Sequence, residues 1–326
     1  MTTQLQLSAK MCHKTLLCFL SLTFFQIAYS AFTFKNVMVT CDSDSALSDE
    51  EIPFSTVVTT NQLKPHLPSG QKCNNIAIQH ATIPFLARDS LSDINNANFL
   101  VLENNEIEEI QPGAFRNVVV KQAMSLKMNK LREIRRGIFE GVRVPVLFLS
   151  YNSINYIDYQ AFNNMTNLEI IHLDHNQLTN INPFWFKNAP KLTKVNLSHN
   201  KIQRVDANAF ANHVSKIDLS NNLIQSVDPH AFRRTKKLLF LGLAHNQINS
   251  LDPNWLKDVK VHTLDLTNNL LYCLESGLGG LQSTNLIDKN PWDCNCLERI
   301  KRKENTVFGT IIASEDFNRC NIFSFS

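Results

Sequence analysis

Three histidines and an aspartate fall close together in the middle of this chain: His172, Asp174, His175 and His199. Imidazoles change charge near neutral pH and ligate transition metals, so such a set could sense pH in the 5–7 range or hold an ion. Its spacing matches no compact zinc motif. Six of the eight cysteines lie beyond residue 30 and form a second chemical set: Cys41 and Cys73 near one end, and Cys273, Cys294, Cys296 and Cys320 near the other. Two N-x-[ST] glycan acceptors make a third, at Asn164 and Asn196. No nucleophile elbow, H-E-x-x-H, P-loop or dinucleotide fingerprint occurs. With only 9 glycines in 326 residues, a Gly-rich phosphate loop is also disfavoured. These readings assign no catalytic residue, no cofactor and no metal.

The ends of the chain suggest its compartment. Lys10, His13 and Lys14 precede an apolar run at residues 16–28 (LLCFLSLTFFQIA), followed by Ala28-Tyr29-Ser30. This pattern reads as a signal peptide over 1–30, cleaved after Ser30, with an uncleaved anchor as the alternative. The run is short of the ~20 residues that span a bilayer. Cleavage removes two lysines and no acid, taking the net charge from +3 close to zero. Such a balance gives no push toward nucleic acid or anionic membrane. An even set of cysteines confined to the two ends suggests disulfide-closed ends in a secreted chain. The expected protein is extracellular, without nucleic acid and without stable membrane insertion.

What must position these groups is a repeat. The stretches LVLENNEI, MSLKMNKL, LFLSYNSI, IHLDHNQL, VNLSHNKI, IDLSNNLI, LGLAHNQI and LDLTNNLL share apolar-x-apolar-x-x-Asn-x-apolar. Their asparagines, from Asn105 through Asn129, Asn152, Asn176, Asn200, Asn222 and Asn246 to Asn269, recur every 22–24 residues. IAIQHATI, with Ala81 in the Asn position, and LIDKNPW, with Asn290, extend the frame to about ten turns with degraded ends. Ten residues after the Asn position come Leu91, Phe115, Phe139, Phe162, Phe186, Phe210, Phe232 and Leu256. These are expected to stack as a buried spine, which accounts for much of the excess of 21 phenylalanines.

Period-two alternation makes each apolar-x-apolar piece a short strand. The strands stack in parallel, and bulkier turns splay the other side, so the strands lie on the concave face. At the asparagine the chain leaves the strand inside the protein. Buried backbone groups there need partners, and an Asn amide offers both donors and an acceptor. The Asn column is therefore scaffold.

This pattern resembles the extracellular leucine-rich-repeat superfamily, with consensus LxxLxLxxNxLxxLxxxxF, over about residues 73–290. The resemblance implies an α/β right-handed horseshoe solenoid used for protein recognition. NPWDCNCL (290–297) is similar to that family's C-terminal cysteine cap. The expected organisation is an N-terminal cap over 31–73, a solenoid over 74–290 and a cysteine cap over 291–326. Cys41 is expected to bond Cys73. Cys273 and Cys294 each follow a frame asparagine by four residues, which favours Cys273–Cys294 with Cys296–Cys320. Cys273–Cys296 with Cys294–Cys320 is the alternative.

The frame also assigns concave positions. Four residues before the asparagines lie Val101, Ser125, Phe148, His172, Asn196, Asp218, Gly242 and Asp265. Immediately before them lie Asn104, Met128, Tyr151, His175, His199, Asn221, His245 and Asn268. Val101, Met128, Phe148 and Tyr151 give the N-terminal half an apolar, aromatic patch suited to a protein partner. His172, His175 and His199 extend it toward the middle. Asn164 falls on the turn side, where a glycan is free of constraint. Asn196 falls on the concave face and is expected to be idle. Two basic clusters, Arg299/Lys301/Arg302/Lys303 and Arg233/Arg234/Lys236/Lys237, could attract a polyanion weakly. The resemblance extends to arthropod leucine-rich immune proteins and to soluble relatives of repeat receptors. It implies a secreted, non-enzymatic protein-binding module, with a matrix component or an enzyme inhibitor as alternatives.

Overall fold

The apolar-x-apolar stretches form strands that stack one per turn. A computed structural model describes residues 32–42, 54–68, 73–211, 213–274, 283–302 and 309–322. The expected leader, its cleavage point after Ser30, and Lys303 lie outside these residues. One sheet of 13 strands dominates. In chain order its strands are β1 (Phe34–Asp42), β2 (Phe54–Thr60), β3 (Asn75–Ala77), β4 (Asn95–Val101), β5 (Val119–Ser125), β6 (Val146–Phe148), β7 (Ile170–His172), β8 (Lys194–Asn196), β9 (Lys216–Asp218), β10 (Phe240–Gly242), β11 (Thr263–Asp265), β12 (Ser283–Leu286) and β13 (Gly309–Ile312). From β3 to β13 every neighbour is parallel. The sheet lines the concave side of a right-handed horseshoe. Among the described residues α-helix is confined to α1 (Cys294–Arg302) and α2 (Ser314–Arg319), with one 3-10 turn at Lys64–His66, so turns and two-residue strand pairs build the convex side.

Register follows the sequence frame. Val101, Ser125, Phe148, His172, Asn196, Asp218, Gly242 and Asp265 lie side by side across β4–β11. A slip of one residue would turn every leucine of a strand into solvent, so the buried face pins this register. Between sheet and turns runs the aromatic spine. Phe115, Phe139, Phe162, Phe186, Phe210 and Phe232 are all buried. Consecutive rings stack at 6.1, 6.0 and 5.8 Å from Phe115 to Phe186, and Phe210 stacks on Phe232 at 5.8 Å. Each buried ring contributes roughly 1.5–3 kcal/mol. The next ring against Phe232 comes from Trp255, edge-on at 6.0 Å, beside the expected Leu256.

The asparagine column binds turn to turn. Asn200 Oδ1 accepts the N–H of Leu178, while its Nδ2 donates to the carbonyls of Leu173, Leu197 and Ser198. The same set of bonds recurs at Asn176, Asn246 and Asn269. Ala81, which replaces an asparagine, still gives its N–H to Asn105 Oδ1 at 3.0 Å.

Both ends are closed. At the N-terminus, β1 pairs antiparallel with β2 and β3, and Cys41 bonds Cys73 with Cα atoms 5.1 Å apart. At the C-terminus the pairing is Cys273–Cys296 and Cys294–Cys320, which corrects the favoured expectation. Counting from the frame asparagine treats Cys294 as a turn position like Cys273, but α1 begins there. Asp293 accepts the N–H of Cys296 as an N-terminal cap. Residues two apart on a helix point about 200° from each other. Cys296 therefore faces inward with Leu297 and Ile300, toward the preceding turn, and Cys294 faces out toward α2.

Candidate functional site on the concave face

The residue before each frame asparagine is where the chain turns out of its strand. All eight such residues have positive φ, from 53° at His199 to 57° at Tyr151, Asn221 and Asn268. His80 and Lys289 do the same before Ala81 and Asn290, so the outer turns share the geometry. Asn and His are enriched among non-glycine residues in this left-handed region, which explains their recurrence here. Met128 and Tyr151 are the bulky exceptions.

The left-handed turn lines these side chains up from one repeat to the next. Tyr151 stacks on His175, and His175 on His199, both at 4.1 Å and nearly parallel. Asn104 and Asn268 hydrogen-bond His80 and His245 at 2.7 and 2.6 Å. In the neighbouring file Phe148 stacks on His172 at 4.8 Å, with Lys127 Nζ 4.2 Å from the Phe148 ring centre. The structure thus brings Phe148, Tyr151, His172, His175 and His199 together, with Met128 one turn before. Val101 lies two strands from Phe148 in the same file, separated by buried Ser125.

A third file escaped the sequence frame. Phe99, Ala123, Val146 and Ile170 lie side by side on β4–β7, followed by Lys194 and Lys216. Phe99 is 41% exposed, Met128 54% and Tyr151 48%. The apolar patch is therefore continuous over four strands and ends where the lysines begin. The signal was one residue upstream of each apolar-x-apolar core, in FLVL, AMSL, VLFL and IIHL.

Asp174 organises the middle. Its Oδ1 accepts from Ser150 Oγ at 2.8 Å and Asn196 Nδ2 at 3.0 Å, and faces His172 Nδ1 at 3.5 Å. Burial alone would raise its pKa, but the bonds from His172 and Ser150 outweigh this and hold it below the usual value. His175 is pushed below the usual imidazole value, by burial first and then by the charge of His199, against the pull of Asp174. Among the described residues no three His, Cys, Asp or Glu side chains converge as metal ligands. Asn196 is bonded through both amide atoms: its Nδ2 donates to Asp174, and its Oδ1 accepts from the N–H and hydroxyl of Ser198. Those bonds bury Ser198. Asn164 is exposed on a convex turn with φ 69°.

The two basic clusters differ. Arg302 pairs with Glu298, and Lys301 lies over the Phe317 ring at 5.0 Å. Arg233, Arg234, Lys236 and Lys237 are exposed. No helix of the described residues is long and apolar enough to cross a membrane.

Comparison with known proteins places this architecture. A profile of the BspA type leucine-rich repeat region matches in six copies over residues 88–215 and 141–261, together more than half of the chain. No curated protein sequence matches. Among solved structures, a chain of the mouse RP105/MD-1 complex aligns with a TM-score of 0.62 at 21% identity, covering 74% of this chain and 44% of that one. A chain of the Toll–Spatzle complex from Drosophila gives 0.55 at 20% identity, covering 68% and 31%. Its glycosylated form gives 0.55 at 18%, covering 77% and 38%. The chain spans less than half the length of these structures, and at such identities the likeness concerns the fold.

Proposed function

Since the chain belongs to the leucine-rich-repeat family, we propose that it is an extracellular, non-enzymatic module that binds a protein partner on the N-terminal half of its concave face. The continuous apolar patch from Phe99 to Tyr151 carries this reading. Exposed apolar surface of this kind marks an interaction site, and aromatic anchors supply most of the energy at such sites. Met128 and Tyr151 add a second argument. A bulky residue in the left-handed region costs about 1–2 kcal/mol, and strain of this kind concentrates at functional sites. The two neighbouring structures are complexes with named partners, Spatzle and MD-1, which accords with a binding role. Three disulfides accord with an oxidising compartment. Residues 31–73 and 291–326 act as caps, and the solenoid over 74–290 presents the binding face.

The test is a pull-down from extracellular fluid with the wild-type protein, a Phe148→Asp/Tyr151→Asp variant and a Phe184→Asp control on the convex side. Specific partners should disappear with the concave variant and persist with the control. If every specific partner survives Phe148→Asp/Tyr151→Asp, the assigned face is wrong.

A further inference from the structure

Beyond the apolar patch, the same file of the sheet turns cationic. Lys194 and Lys216 stand in register on β8 and β9, and Phe240 follows on β10. With Leu239 and His262 they border a groove of about 560 Å³ at the edge where the strands enter the sheet. Phe240 lies over Gly242, where an added Cβ would come within 2.8 Å of the ring and of Asp218 Oδ1. Asp218 is the one carboxylate in the groove, at its inner end, and it accepts the N–H of Ser220. Just outside, Lys237 and Lys260 stand side by side on the short pair Lys237–Leu238 and Lys260–Val261. Lys236 precedes them, its carbonyl accepting the Lys260 N–H.

What marks this edge is the gathering of five lysines, Lys194, Lys216, Lys236, Lys237 and Lys260, on neighbouring turns. In the N-terminal half, Arg116, Lys130 and Arg135 pair with Asp89, Glu106 and Glu133. Among the described residues none of the five edge lysines has a carboxylate at ion-pair distance. The chain as a whole carries only +3, so this is a local field. It extends over four strands, about 14 Å at the usual strand spacing. A ligand that answers it is long and repeatedly negative, not a single carboxylate. Lysine presents compact point charges without the planar fork that arginine offers to one planar anion. Leu239 and Phe240 add an apolar strip on which the C–H face of a sugar ring can lie. The disulfides at both ends belong to an oxidising compartment, away from nucleic acid. We propose that this edge, from Lys194 to Lys260, is a binding site for a sulfated polysaccharide.

The site is separate from the apolar patch, and its test does not depend on a protein partner. The full-length secreted protein is titrated against a labelled heparin oligosaccharide over a salt series around 0.15 M. A Lys216→Gln/Lys237→Gln variant is compared with Lys35→Gln/Lys121→Gln, which removes the same charge at the N-terminal end. The edge variant should bind at least tenfold more weakly, with a salt slope lower by about 1.4, two lost contacts at ~0.7 each. The control should stay within twofold, as should Phe148→Asp/Tyr151→Asp. Equal losses in the edge variant and the control would reduce the effect to net charge and overturn the site. Binding of poly-glutamate or single-stranded DNA as tight as that of heparin would overturn the polysaccharide assignment. Unchanged circular dichroism melts of both double variants tie the result to the surface.

Discussion

Replacing Asn200 by alanine tests the claim that the asparagine column is scaffold. Asn200 is buried, and its amide serves two neighbouring turns. Alanine would leave the N–H of Leu178 without a partner inside the solenoid, while the carbonyl of Leu173 would keep only its bond from Asn176 Nδ2. An orphaned buried N–H costs about 1–3 kcal/mol, so the expected loss is near 2 kcal/mol. The carbonyls of Leu197 and Ser198, within the same turn, lose a weaker share. Asn200→Asp keeps the acceptor for Leu178 and removes the donor, so it should still be destabilising. Asn188→Ala is the control: its Nδ2 donates to Asn163 Oδ1 at 3.2 Å on the exposed convex side, and its loss should stay within ~0.5 kcal/mol. Urea denaturation followed by circular dichroism and by Trp fluorescence measures all three. Both probes are needed because a stack of repeats can lose one region before another. A loss below about 1 kcal/mol for Asn200→Ala would refute the reasoning, since an orphaned N–H of that cost could not be present.

Three further outcomes follow from the site geometry. Met128→Gly should relieve the left-handed strain and raise stability by about 1 kcal/mol in urea while weakening partner capture; a destabilised variant would contradict the strain argument. Intact-mass analysis should show a glycan lost in Asn164→Gln and no change in Asn196→Gln; a mass loss from the latter would mean that the bonds to Asp174 and Ser198 do not form. Stability should also fall as pH drops below about 6.5. The folded pKa of His175 is depressed, so between its folded and unfolded values the unfolded chain holds more protons and stability rises with pH. The stabilisation is lost progressively toward the folded value, and Asp174, also depressed, adds a second loss below pH 3.8. Denaturation midpoints of wild type and His175→Asn between pH 7 and 5 check this, with a flatter profile expected for the variant; parallel profiles would exclude His175 as the source.

The solenoid was legible because its constraints repeat. Asn105 to Asn269 and Phe115 to Phe232 recur at a fixed period, and the hydrogen bonds and ring stacks realise that period directly. The concave file through Val101, Phe148 and His172 was legible for the same reason. Three features were not. The C-terminal disulfides hinge on where α1 begins, which Asp293 decides by capping it, and a repeat frame carries no information about the first turn that breaks it. The Tyr151–His175–His199 stack depends on positive φ, a backbone property whose trace in the sequence is the column of Asn and His. The Phe99–Ile170 file sits upstream of the two core positions that define each strand, so its outward direction required the strand to begin earlier than the motif.

The central claim is that a partner docks on the N-terminal half of the concave sheet. A photoreactive phenylalanine analogue placed at Phe148 and, separately, at the convex Phe184 tests it most directly. Both side chains are accessible, Phe148 in part and Phe184 at 51%, so either can report. Irradiation in extracellular fluid should give a discrete, competable crosslinked protein from position 148 and none from 184. A crosslink from 184 with none from 148 would contradict the account.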